Sequence, residues 1–94
     1  MLSYPELLDR AIAETERLSR AITDLRAQDV ELSALRNRVD LQNLDLHHAQ
    51  RKELFTQIYY FEADLQRSRG REAILRKHIA AGEVREAAVV AQAA

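Results

Sequence analysis

The chain has no cysteine and no tryptophan, two glycines and a single proline. Without thiols there is no disulfide framework, no thiolate metal site and no cysteine nucleophile, a composition that suits a reducing cytoplasm. So few glycines and prolines exclude a loop-rich or all-β protein, which needs turn residues at short intervals. No apolar run approaches the roughly 18 residues that a membrane span requires. The N-terminus, MLSYPELLDR, also lacks the basic and apolar regions of a secretory signal. An excess of one charge is missing too: 14 basic residues face 15 acidic ones, which argues against a general nucleic-acid or membrane-surface binder.

What fills the 94 residues is Ala, Leu, Glu, Arg and Gln, the strong helix formers. The length suits one small domain, or a helical element that completes its core by oligomerising. The preference for Arg over Lys, with abundant Ala, is common in GC-rich bacterial or phage genomes and bears on source rather than on function.

The clearest local signal is at the start. Ser3-Tyr4-Pro5-Glu6 fits a capping box, with Pro5 in the first turn and Leu2 and Leu7 placed as a hydrophobic staple. A helix is expected from about Tyr4. Beyond it Ala11, Leu18, Leu25, Leu32, Val39 and Leu46 recur every seven residues, the signature of a left-handed coiled-coil seam. The companion position is weaker, running from Ala21 or Ile22 through Gln28, Leu35 and Gln42 to Ala49. Gln28 and Gln42 are expected on the rim.

A second stripe, Leu54, Ile58, Phe61 and Leu65, continues through Ser68 and Glu72 to Leu75 and Ile79. It lies one residue out of register with the first, a rotation of about 100° in a helix of 3.6 residues per turn. Two all-α geometries compete. One is a long helix over about 4–69, with room for a bend or break at 40–50, followed by one or two short helices after Gly70 and Gly82. The alternative is an antiparallel helical hairpin turning near 40–46, where Asp40 or Asn43 can act as a new N-cap. Absence of Gly and Pro before residue 70 favours the long helix; the register jump favours the hairpin. In either case the chain reads as a single domain, with a coiled-coil segment over 1–69 and a helical C-terminal segment over 70–94.

The segment LFTQIYYFEADL, residues 54–65, holds most of the aromatic residues. It is a helix rather than a strand, because Tyr59, Tyr60 and Phe61 are consecutive while Leu54, Ile58, Phe61 and Leu65 follow the helical spacing. Phe55, Tyr59 and Tyr60 fall outside that stripe, so the helix is apolar over an arc too wide for one buried face. They are either the densest part of an ordinary bundle core or candidates for docking a partner, since tyrosine rings pack while their hydroxyls stay wet.

No pattern of catalytic, cofactor-binding or metal-ligating residues stands out. His47 and His48 are adjacent and point about 100° apart on a helix, so they do not share one metal ion. The run QRSRGREAILRKH is the one strong charge bias, with Arg67, Arg69 and Arg71 as further docking candidates. The expectation is a non-enzymatic structural or assembly protein, a helical scaffold or adaptor of bacterial or phage type. Its seam, Leu18, Leu25, Leu32, Leu35, Val39 and Leu46, would drive homo-oligomerisation while the rest docks another protein. No membrane, metal or cofactor is expected. A different class, a small nucleic-acid-associated regulator using residues 67–77, remains as the alternative.

Overall fold

In the computed structural model, residues 2–93 are described, with side chains described over 2–83. Helix α1 runs Tyr4–Ala34 and helix α2 runs Leu44–Ala93, and the two lie antiparallel against one another in a hairpin about 79 Å long and 18 by 16 Å across. The all-α expectation holds, and of the two geometries the chain adopts the hairpin. Among the described residues neither helix is long and apolar enough to cross a membrane.

Helix α1 starts where its sequence says it should. Ser3 has an extended backbone, and its hydroxyl accepts the Glu6 N–H at 3.3 Å, with Pro5 in the first turn. The return bond of a full capping box, from Ser3 N–H to the Glu6 carboxylate, is not formed.

The turn explains why a chain without Gly or Pro here can still reverse. Leu35 closes α1 in a right-handed helical conformation, and its N–H reaches back to the Glu31 and Leu32 carbonyls. A single 3-10 turn follows at Arg36–Arg38, then two extended residues, Val39 and Asp40, then a second 3-10 turn at Leu41–Asn43 that runs directly into α2. No described residue has positive φ. Reversal therefore uses only backbone regions open to any L-residue, and glycine is not required. Asp40 precedes the second 3-10 turn rather than α2 itself, which starts after Asn43, and its side chain makes no capping hydrogen bond.

Beyond the turn, α2 is one helix. The expected stops at Gly70 and Gly82 do not occur, because both glycines keep helical, negative φ and nothing crowds either of them. A glycine weakens a helix interior by about 1 kcal/mol but does not end it unless the backbone turns left-handed. The side chains over 84–94 lie outside those described.

The heptad seam closes within one chain. Leu18, Ile22 and Leu25 of α1 are buried against Leu54, Ile58 and Leu65 of α2, with Leu32 and Phe61 packed on the same cluster. Of the residues expected to join separate chains, Leu18, Leu25 and Leu32 are thus used inside the hairpin. Leu35 is exposed at the end of α1, Val39 sits in the turn, and Leu46 projects to solvent. The companion seam position is Thr15, Ile22 and Asp29 rather than the Gln28 row; Gln28 is exposed on the rim as expected, whereas Gln42 is exposed in the second 3-10 turn.

Two outcomes follow from this packing. Leu25→Asp forces a charge between the helices and should abolish the helical circular dichroism signal, since helices held by a single shared seam have little stability apart. Gly70→Ala should raise stability by about 0.5–1 kcal/mol in urea melts, as its site is helical and open.

Candidate functional site

Polar side chains interrupt the seam at two levels. Near the open end, Thr15 donates to Glu72 Oε2 at 2.5 Å, and Ser68 Oγ lies 2.8 Å from the Thr15 oxygen. Buried Ser68 also donates to the Ala11 carbonyl at 3.3 Å across the interface. Small residues at Ala11 and Ser68 let the helices approach closely enough for these bonds. Glu72 is balanced by Arg76, 3.6 Å away and one turn on. Of the pairs spaced i, i+4 for helix support, Glu6–Arg10, Glu16–Arg20 and Glu72–Arg76, this is the one that comes within ion-pair distance.

Near the turn, Arg51 makes a forked contact to Asp29, with Nε to Oδ1 at 2.9 Å and Nη2 to Oδ2 at 3.4 Å. Their side chains are 24 % and 17 % exposed. The hydrogen bond to Asp29 raises the Arg51 pKa above its ordinary value, against the opposing cost of burial. The same guanidinium lies 5.5 Å from the centre of the Phe55 ring. On the surface, Arg26 pairs with Glu62 across the two helices, and Arg17 with Glu14 within α1. The hydrogen bond from Arg17 holds the Glu14 carboxyl below its usual range, with desolvation working the other way.

The two histidines separate as their spacing implies. His47 is buried at a seam position and His48 is exposed, their rings edge-on at 5.9 Å. The Nε2 atom of His47 has no hydrogen-bond partner among the described residues. Among the described residues no three side chains of the ligating types converge on one point. At the other end His78 stacks on Tyr4, ring centres 5.1 Å apart and nearly parallel, which ties the start of α1 to α2.

The docking candidates do not form one patch. Phe55, Tyr59 and Tyr60 are each more than half exposed. Phe55 lies in the row of Glu62 and Arg69, and Tyr59 in the neighbouring row of Gln66. Glu62, Gln66 and Arg69 line a hollow with Ser19 and Arg26 of α1, so Phe55 and Tyr59 belong to that side of the hairpin. Tyr60 turns towards the other side while meeting Tyr59 edge-on at 5.6 Å. The arginines diverge as well. Arg67 pairs with Asp64 at 3.4 Å, Arg69 joins the hollow just described, and Arg71 lines a hollow on the opposite side with Leu7 and Arg10. Sequence reasoning flagged the exposed aromatics but missed the Asp29–Arg51 and Thr15–Glu72 contacts. These join positions distant in the chain and become visible once both stripes are aligned as an antiparallel pair.

No family model matches the chain, and neither the curated proteins nor the solved structures compared with it include a match.

The Asp29–Arg51 pair gives a test of the polar seam. Asp29→Ala leaves the Arg51 guanidinium unpaired and should lower the urea midpoint, whereas Asp29→Leu with Arg51→Leu should be near neutral or stabilising. A double-mutant cycle from urea melts reads both.

Proposed function

We propose that the protein is a non-enzymatic helical assembly protein, a hairpin adaptor that docks another protein through Phe55 and Tyr59. The observation that carries this reading is the exposure of those two large aromatic side chains, one turn apart on α2 and outside the seam that α1 covers. Aromatic residues displayed at i, i+4 suit an apolar stripe on a partner helix. Exposed Lys52 shares a row with Tyr59, so the partner's stripe would be flanked by carboxylates.

The non-catalytic part of the proposal is supported by how the inner polar groups are used. Thr15, Ser68, Glu72, Asp29 and Arg51 hold the two helices to one another. The nucleic-acid alternative has less support, because Arg67, Arg69 and Arg71 diverge around α2 rather than tracking one phosphate backbone. A cytoplasmic location, or one in a particle assembled there, is part of the same proposal and rests on the cysteine-free composition.

The test replaces Tyr59 by a photo-crosslinking phenylalanine analogue in the source cell. A discrete cross-linked species is expected from position 59 and not from exposed Ala13 on the far side of α1. It should vanish when Phe55→Ser is added while circular dichroism stays unchanged. Equal yields at positions 59 and 13 would sink the docking reading.

A further inference from the structure

The side of the hairpin away from Phe55 and Tyr59 carries a sequence symmetry that the seam does not require. Arg10, Arg17, Asp24 and Glu31 recur every seven residues and share one row along α1. Read from either end, that row has opposite charges at matching places. The neighbouring row, Leu7, Glu14, Ala21, Gln28 and Leu35, is close to a palindrome about its smallest member, Ala21. On α2 the row Leu46, Glu53, Tyr60, Arg67 and Ile74 repeats the theme, with apolar ends, an acid facing a base, and Tyr60 in the middle.

The three rows lie on one side of the molecule. At the turn end, Gln28, Glu31, Leu35 and Glu53 line a hollow of about 610 Å³ floored by Leu32 and Leu54. At the open end, Leu7, Arg10 and Arg71 line a smaller hollow of about 230 Å³ floored by Ala11 and Leu75. Rows of period seven run parallel to a heptad seam, so both hollows open on the same side. One is rimmed by carboxylates and the other by guanidinium groups. Ala21 and Tyr60 lie at about the same height, both between the Ala11–Ser68 contact and the Asp29–Arg51 contact. The centres of the α1 and α2 rows therefore coincide.

We infer that this side binds a second copy of the chain in an antiparallel two-fold dimer, with α1 on α1 and α2 on α2, giving a four-helix bundle. A two-fold axis through the level of Ala21 and Tyr60 sets Arg10 against Glu31 of the second copy, Arg17 against Asp24, and Glu53 against Arg67. It also brings Leu7 to Leu35 and Leu46 to Ile74. Such an interface is isologous: each patch meets its own copy, which requires the sign inversion that the rows display. The apolar ends supply burial; Leu46, Tyr60 and Ile74 are each more than half exposed in the single hairpin. The charges fix orientation, because a parallel arrangement sets like against like. Ala21 at the axis lets the two α1 helices approach closely.

The occupant is assigned independently of the docking proposed for Phe55 and Tyr59, which face the other way. Sedimentation equilibrium on the full chain is the test. The wild type should have twice the 10.8 kDa chain mass. Arg10→Glu and Glu31→Arg should each weaken the dimer at least about tenfold by setting like charges together, with unchanged circular dichroism. An equimolar mixture of the two variants, and the double variant R10E/E31R, should both recover the wild-type affinity. A wild type that stays monomeric to high micromolar concentration overturns the inference. So does a dimer indifferent to both substitutions, or one that neither the mixture nor the double variant restores. The Tyr59 cross-link, in contrast, is expected to persist in the monomeric variants, so the two readings fail separately.

Discussion

Everything in this molecule depends on one shared apolar seam. A helix as long as α2 has a continuous stripe, Leu54 to Leu75, that must be covered, and α1 supplies the matching stripe from Ala11 to Leu32. Neither helix has another large buried surface among the described residues. Helical propensity alone stabilises a chain only marginally, so the hairpin stands or falls with this contact. The one-residue register jump between the stripes becomes intelligible here. In a continuous helix it would rotate the apolar face away from its partner, but in a hairpin each stripe lies on its own helix and the turn absorbs the difference.

The polar interruptions of the seam set the alignment of the hairpin. A purely leucine interface would tolerate sliding by a heptad, because every register buries similar area. Asp29–Arg51 at one level and Thr15–Ser68–Glu72 at another are satisfied in one register, and a shift by seven residues leaves charged and hydroxyl groups unpaired in a drier environment. The stacked Tyr4 and His78 rings mark the same register at the open end. These contacts trade some stability for a defined arrangement, and that arrangement gives the two outer sides of the hairpin distinct characters.

The outer sides differ in chemistry. Phe55 and Tyr59 occupy one side beside the Arg26–Glu62 pair, while the other gathers acids at the turn end and bases at the open end. A two-helix protein has too little interior to build an enclosed pocket, so its surface rows carry what recognition it performs. The separation of Tyr59 from Tyr60, adjacent in sequence and edge-on in space, shows how sharply a helix divides neighbouring residues between two surfaces.

The amino-acid sequence by itself determined the helical class, the start of α1 at the Ser3 cap, the α2 stripe, and the α1 stripe as far as Leu32; Val39 and Leu46, which continue its period, fall outside the packed seam. Each is a local matter of propensity, capping or period. It left the choice between a long helix and a hairpin open, because the usual markers of a turn, Gly and Pro, are absent from a reversal that needs no positive φ. It also suggested helix ends at Gly70 and Gly82, where glycine is tolerated mid-helix because the backbone never turns left-handed. The tertiary structure decided that Leu18, Leu25 and Leu32 pack within the chain, since only the fold sets which stripe lies across from which. It also decided that Asp29 meets Arg51 and that the three arginines diverge. Those facts depend on a register between residues far apart in the chain, and no local pattern encodes a distance across a turn.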